Sequence, residues 1–516
     1  MSYSPSLGST LTHTKMRTPE NVSGFSGMCA VCTANCTGTC EIGLSAIRGS
    51  EAIYPYKTDI NQFASEKNYP LDFSHFNING RVFGAQGCAE DANEATFPKA
   101  DINIEFGINN KVKLKAPIIL PAMAKLNWKD YYAGAALAGV LVVIGEDVVA
   151  KDKDLMIENG KVTSSPLIEE MINSFRKYYR GYGDIILQAN YDDDNLGVLE
   201  YAITKLKVKS VELKFGQAAK GIQGMGRVKK IEDALKFQKM GYLLYPDPSD
   251  PKVADNYKEG KGQVFEKIGK LPMWNEDILI KKVSELRKLG AEHICFKTGP
   301  FDPKDLIRII KIASKAEVDL ITFDGAGGGT GNSPVKMMNE WGMPTVYLES
   351  MLHDIIKKFK KKKYNLPQIA ITGGFATEDH VYKGLALGAP FINLVGIGRA
   401  AMAAAIAGKN IGELIENGTV PKEFQRFGTT KEEIFGDIRE LKLYYEDAVS
   451  ISTGAVGVFS YLNRISAGIK QFMALNRKFK LEYIDRSDII PLTDLAAQVT
   501  GLETYDEIII RELDSL

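Results

Sequence analysis

Phe323-Asp324-Gly325-Ala326-Gly327-Gly328-Gly329-Thr330-Gly331-Asn332-Ser333-Pro334 is the stretch on which the reading of this chain turns. It follows the apolar run Val318-Asp319-Leu320-Ile321-Thr322, which reads as a buried strand. Five glycines in the seven residues 325–331 leave little side-chain bulk, so backbone N–H groups can approach a ligand closely. Pro334-Val335-Lys336-Met337-Met338 then reads as a helix start. A glycine turn between a strand end and a helix N-terminus is a phosphate cradle. The Gly-Lys-Ser/Thr of ATPases is missing, and the glycine spacing differs from the dinucleotide fingerprint. Two similar turns follow, Ile369-Ala370-Ile371-Thr372-Gly373-Gly374 and Phe391-Ile392-Asn393-Leu394-Val395-Gly396-Ile397-Gly398-Arg399. Consecutive late strands ending in such turns point to a closed barrel that holds a phosphorylated cofactor.

Working outward, eight strand candidates count out: 117–121, 140–145, 184–190, 210–215, 293–297, 318–323, 368–372 and 391–395. Each is short and apolar or β-branched, and most end in a polar or glycine turn. Helical stretches such as Asp305–Ala316 and Asp379–Leu387 lie between them. The expected class is therefore α/β, a (β/α)8 TIM barrel, with an open doubly wound sheet as the competing architecture. The long gap between the fourth and fifth strands requires an insertion over 217–275 on the loop-bearing face. The expected organisation is an N-terminal cysteine-bearing, wrapping segment over 1–110, the barrel over 111–405 and a helical extension over 406–516. In that extension, Ile411–Asn417, Lys431–Ser450 and Asn463–Asn476 read as helices.

Lys+Arg and Asp+Glu both number 64, so the formal net charge is zero and nucleic acid or an anionic membrane is not the expected partner. The longest apolar run, Ala133 to Gly145, is too short to span a bilayer, and the N-terminus has no hydrophobic signal core. A soluble cytoplasmic protein is expected. The lysine run from Lys357 to Lys363 reads as a solvated helix end.

Four of the six cysteines, Cys29, Cys32, Cys36 and Cys40, fall within twelve residues, at gaps of two, three and three. Structural zinc usually uses two pairs set a dozen or more residues apart, whereas thiolates wrapped around one centre suit an iron–sulfur cluster. An iron–sulfur site is the first reading, zinc the second and no metal the third. Cys295 reads as a core residue, and Cys88 is isolated.

At the end of the fourth strand, Lys214, Gln217 and Lys220 recur at intervals of three. Two ammonium groups and an amide at a barrel mouth suit an anion, such as a dicarboxylate or the electron-rich edge of a flavin. Lys297 closes the fifth strand and could face a flavin where negative charge builds on reduction. Glu146, after the second strand, is a rim carboxylate that could polarise a substrate amine or pair with Lys125 or another basic neighbour. The five histidines, at 13, 75, 293, 353 and 380, show no metal-ligand spacing, and no Ser-His-Asp or Cys-His set assembles.

These motifs, in this order, resemble the FMN domain of glutamate synthase over about residues 115–405. The resemblance rests on Lys214-x-x-Gln217-x-x-Lys220-Gly221, on Asp324 to Pro334 and on Thr372-Gly373-Gly374, with Asn275-Glu276-Asp277-Ile278-Leu279 in support. The cysteine region resembles a subgroup of glutamate-synthase-like proteins of anaerobic microbes. The resemblance implies an oxidoreductase in glutamate biosynthesis, acting on CH–NH2 donors. 2-Oxoglutarate and ammonia give an imine, and reduced FMN delivers hydride to make L-glutamate. It implies that Lys220, Gln217 and Glu146 are catalytic. It also implies an FMN site from Lys214, Lys297, Asp324, Gly325, Gly327, Gly328, Gly329, Thr330, Gly373, Gly374, Gly396, Gly398 and Arg399. Cys29, Cys32, Cys36 and Cys40 would hold the cluster, expected as 4Fe-4S, that feeds electrons to FMN.

Three departures stand out. The chain starts Met1-Ser2 and its first cysteine is Cys29, so a glutaminase with an N-terminal cysteine nucleophile is not expected. Residues 399–408 contain none of the cysteines that the family carries after the last barrel strand. The stretch after Lys220 reads Gly221-Ile222-Gln223-Gly224-Met225-Gly226-Arg227, altered from the family's loop, so another 2-oxo acid could be the substrate. Expected partners are that small acid, an electron donor (ferredoxin or an NAD(P)H-oxidising subunit), a separate glutaminase subunit as an ammonia source, and further copies of the chain in a homo-oligomer. Two other functions compete: non-redox amine exchange forming an N-substituted glutamate, and an electron-transfer subunit of a larger complex.

Overall fold

The computed structural model describes residues 41–53, 65, 67–218, 220–222, 225–261, 264–329 and 333–516. Cys29, Cys32, Cys36, Cys40 and Thr330 lie outside the described residues.

Eight short parallel strands close into a barrel: β1 (Ile118–Met123), β2 (Leu141–Ile144), β3 (Asp184–Ala189), β4 (Ser210–Lys214), β5 (His293–Thr298), β6 (Leu320–Asp324), β7 (Gln368–Thr372) and β8 (Leu394–Gly396). The fold is an α/β TIM barrel, and all eight expected strands are in it. The doubly wound alternative falls because no edge remains. β5 pairs with both β4 and β6, and β8 closes on β1 through Val395↔Ile118 and Gly396↔Ile119.

Side chains alternate between the barrel interior and the helical layer. Ile119, Val143, Ile186, Cys295, Leu320 and Ala370 form a buried apolar layer with Phe106 and Leu114 of an antiparallel hairpin, Ile104–Phe106 and Val112–Leu114. The hairpin is bound to the N-terminal ends of the strands. The Gly107 N–H donates to Gln368 Oε1 and the Ile108 N–H to Asp319 Oδ1, both at 2.9 Å. Ser210 Oγ, which donates to Asp184, also lies 2.9 Å from His293 Nδ1, and His293 Nε2 meets the Asn110 carbonyl at 2.9 Å. This Asp-Ser-His order belongs to the closed end of the barrel and is not a nucleophile triad.

The helical layer includes α1 (Trp128–Ala138), α2 (Ile231–Lys239), α3 (Thr345–Lys361), α4 (Arg399–Glu416) and α5 (Thr453–Leu475). The expected insertion contains α2 and an antiparallel sheet of Met225–Val228, Leu243–Tyr245 and Phe265–Ile268, with the last strand in the middle. Beyond the barrel, the expected helix over 411–417 is the end of α4, and the one over 463–476 is the end of α5. The single helix expected over 431–450 is instead three short pieces, Lys431–Ile434, Ile438–Leu441 and Ala448–Ser450. Gly436 falls between the first two and interrupts the periodicity. Near the N-terminus, Phe76–Ile78 pairs antiparallel with Ile489–Pro491, tying the wrapping segment to the extension. Among the described residues no helix is long and apolar enough to cross a membrane.

Candidate functional site

The three glycine turns meet at the C-terminal mouth of β6, β7 and β8, and their glycines divide into two kinds. Gly325, Gly327 and Gly373 are locked against one another. A Cβ on Gly327 would lie 2.5 Å from the Gly373 carbonyl oxygen, and one on Gly373 would lie 2.5 Å from Thr345 Oγ1. Thr345, at the start of α3, donates its hydroxyl to that Gly373 carbonyl at 2.6 Å. Gly328 and Gly396 are also packed, each leaving 2.7 Å between an added Cβ and a neighbouring side chain. Gly374 and Gly398 have more room, with nearest neighbours at 3.4 and 3.3 Å, and Gly374 has φ +100°.

Beside these two glycines lie the open donors. Among the described residues, the N–H groups of Gly374 and of Arg399, Ala400 and Ala401 have no intrachain acceptor. The last three belong to the first turn of the 18-residue helix α4, whose N-cap, Gly398, contributes no side chain. Unsatisfied amides at a helix N-terminus, joined by that of Gly374 after β7, suit a phosphate. Arg399 stands at the same rim, and Gly329 is half-exposed on the first turn.

Across the mouth, β4 and the loop after β2 bring together the expected catalytic set. Lys214 Nζ pairs with Glu146 Oε1 and donates to Gln217 Oε1 at 2.5 Å. Lys220 Nζ lies 3.5 Å from the same Glu146 oxygen. The backbones of Gln217 and Lys220 bond to each other at 3.3 and 3.1 Å, a tight turn that returns Lys220 to the mouth. All four side chains thus share one contact network. Burial pushes the Glu146 carboxyl up, but Lys214 and Lys220 outweigh it and hold the group well below the usual carboxylate range. Burial brings Lys214 down to about 8, although Glu146 opposes that shift.

Lys297 and Asp324 form the second half of the mouth. Their charged groups are 3.9 Å apart, and Asp324 Oδ2 accepts the Ala218 N–H at 3.0 Å. Asp324 therefore holds the two loops together at the mouth.

Several functional candidates escaped the sequence reading. Glu212 lies inside the barrel, accepts Gln188 Nε2 at 2.5 Å and keeps its other oxygen without a partner. Burial raises its pKa, countered by Lys297. Period-two alternation could have found it, since Ser210, Glu212 and Lys214 share one face of β4. Asp147, next to Glu146, has φ +62°. Its N–H donates to Asp193 Oδ2 at 2.8 Å, its Oδ1 accepts Asn190 Nδ2 at 3.2 Å, and Lys267 of the insertion lies 3.6 Å away. No local signal marks a contact between residues 147 and 267. Among the described residues no cluster of three metal-ligating side chains forms.

Residues 271–408 match the family model described as the conserved region in glutamate synthase. This part of the chain is similar to that region of glutamate synthase. The match holds β5 to β8 and the three glycine turns. The chain is also 26% identical over 122 residues to the glutamate synthase large subunit-like protein YerD of Bacillus subtilis (strain 168), a match that spans 23% of each protein. Among solved structures, the flavin-binding domain of baker's yeast flavocytochrome b2 is similar at a TM-score of 0.45 and 14% identity, over 85% of this chain and 81% of that one. The monotopic membrane protein (S)-mandelate dehydrogenase aligns at a TM-score of 0.44 and 13% identity, over 81% and 89%. The matched residues 271–408 thus supply the amide cradle and Lys297, while Lys214, Gln217, Lys220 and Glu146 come from outside them.

Proposed function

We propose that this chain is an FMN-dependent oxidoreductase of the glutamate synthase type, which reduces the imine of a 2-oxo acid, 2-oxoglutarate in the first instance, to the amino acid. The observation that carries the proposal is the placement of the Glu146, Lys214, Gln217 and Lys220 network on the same mouth as the amide cradle. The cradle suits a phosphate such as that of FMN, which Gly374, Gly398 and Arg399 would hold, and Lys297 would offer its ammonium group to the flavin. Bound FMN would supply a two-electron transfer. Overall, a 2-oxo acid, ammonia, two electrons and two protons give an amino acid and water.

The protein's own groups suit such a substrate. Lys214 and Lys220 offer two ammonium groups to carboxylates, and Gln217 offers an amide that orients them. Glu146 keeps its charge at neutral pH and holds the two lysines in place. Lys214 can carry a proton at neutral pH and donate it to charge that develops near Nζ. Buried surroundings strengthen each of these interactions by excluding water.

The iron–sulfur role of Cys29, Cys32, Cys36 and Cys40 is proposed from their spacing. The segment that follows them is tied to the mouth-side insertion, since Arg227 Nη2 donates to the Glu51 carbonyl at 3.2 Å. Electrons would come from ferredoxin or an NAD(P)H-oxidising subunit, and ammonia from solution or a partner.

Anaerobic purification followed by a visible spectrum, FMN release and an iron count tests the reading. FMN with iron, and L-glutamate formed from 2-oxoglutarate, ammonia and a reductant, is the expected result. FMN without iron would favour amine exchange, and a protein that binds no flavin would overturn the proposal.

A further inference from the structure

A second cleft lies behind the rim, between the loop that follows Glu146 and the insertion. Its volume is about 310 Å³, within the range of small-molecule sites. Five basic residues line it: Lys151 and Lys153 from the rim loop, Arg227 and Lys229 from the insertion's first strand and its end, and Lys236 from α2. Two carboxylates, Asp152 and Asp233, line it as well. Asp152 is already engaged, accepting Ser165 Oγ at 2.6 Å and the Leu167 N–H at 3.1 Å. Among the described residues, Lys151, Lys153, Lys229 and Lys236 have no ion-pair partner. Phe237, Val228 and Met240 give the cleft an apolar floor.

Such an arrangement is unfavourable when empty. Like charges converge, and Lys151 is half-buried. Burial pushes the Lys151 pKa down, and the carboxylates of Asp147 and Glu146 raise it only in part. A multiply charged anion removes that repulsion and reaches lysines on both walls. The half-buried Lys151 and the basic groups on both walls favour a small molecule over the surface of an acidic protein, which would contact only the exposed lysines.

We propose that this cleft is a binding site for a small organic polyanion bearing several phosphate or carboxylate groups, separate from the Lys214–Glu146 mouth. Its occupant joins the rim loop to the insertion. The same two elements already meet through Asp147 and Lys267, at 3.6 Å. Occupancy therefore stabilises the loop that aims Glu146.

The test is isothermal titration calorimetry of the full chain with pyrophosphate and, separately, citrate, at low ionic strength. Saturable one-to-one binding is expected, and it should weaken as salt rises. Lys151→Met and Lys236→Met should each weaken it about ten-fold, the loss of one charge-assisted contact. Lys357→Met, in the exposed lysine run of α3, should leave it unchanged. Binding of pyrophosphate alone assigns phosphate chemistry, and binding of citrate alone assigns carboxylates. Lys236 is exposed, so Lys236→Glu keeps the test open should the Lys151 variant fail to fold. No saturable binding of either probe, or an affinity unaffected by the Lys236 variants, would overturn the proposal.

Discussion

Asp324 Oδ2 accepts the backbone N–H of Ala218 at 3.0 Å, joining two motifs that lie 106 residues apart in the chain. Asp324 ends β6 and begins the glycine stretch, whereas Ala218 sits between Gln217 and Lys220. One carboxylate thus sets the distance between the amide cradle and the lysine network. Asp324→Ala would leave a buried N–H without an acceptor and Lys297 without its neighbouring carboxylate. We expect a stability loss of about 1–3 kcal/mol and weaker flavin retention. A thermal midpoint and an FMN content that both match the parent protein would show that the bond does not position the loops.

Lys214 and Glu146 give the pH dependence a defined sign. Lys214 titrates near pH 8 in the folded protein, so activity that needs its ammonium falls on the alkaline side. Glu146 raises the Lys214 pKa, so Glu146→Gln should move that alkaline limb to lower pH. A kcat/KM profile of the two proteins decides the matter. Glu146 itself, held low by the lysines, favours the folded state above its unfolded pKa, and this contribution is lost as pH falls through the lower, folded value.

The two kinds of glycine should respond differently to a methyl group. Gly327→Ala places a Cβ 2.5 Å from the Gly373 carbonyl oxygen and should destabilise the whole mouth. Gly374→Ala meets nothing closer than 3.4 Å but must hold φ +100°, at a cost of roughly 1–2 kcal/mol. Its main effect should be on flavin retention, read as FMN released per chain. Equal losses of fold in both variants would contradict this division.

Cys32→Ser should lower the iron content and the broad visible absorption while leaving FMN bound. Unchanged iron would remove the cysteine segment from the electron path.

The barrel was legible because its strands are buried on both faces and end abruptly. Leu320-Ile321-Thr322-Phe323 is an apolar run cut off by Asp324-Gly325, and such edges survive without knowledge of the fold. The late helices were harder to read. Gly408 lies inside α4, and Gly454 and Gly457 open α5, where glycine normally argues against a helix. Yet a Cβ on Gly408 would collide with the Thr453 carbonyl oxygen, and one on Gly457 would lie 2.6 Å from that of Ala404. The residues that weaken the local signal are those that let the two helices touch, and only the partner helix reveals this. Glu212 differs: the alternation of β4 places it on the face of Lys214, and only its bond to Gln188 needed the neighbouring strand.

The ladder between β8 and β1 is the shortest in the barrel, with two registered pairs. α5 lies across the outside of that junction, packed on both α4 and α1, and Ser452, its N-cap, donates to Asp130 of α1 at 2.5 Å. Like the hasp on a hoop, the extension fastens the place where the beginning and end of the barrel meet. A chain cut after residue 405 would keep all eight staves and lose the fastening. The extension and the barrel would therefore have to be inherited, moved or fused as one piece.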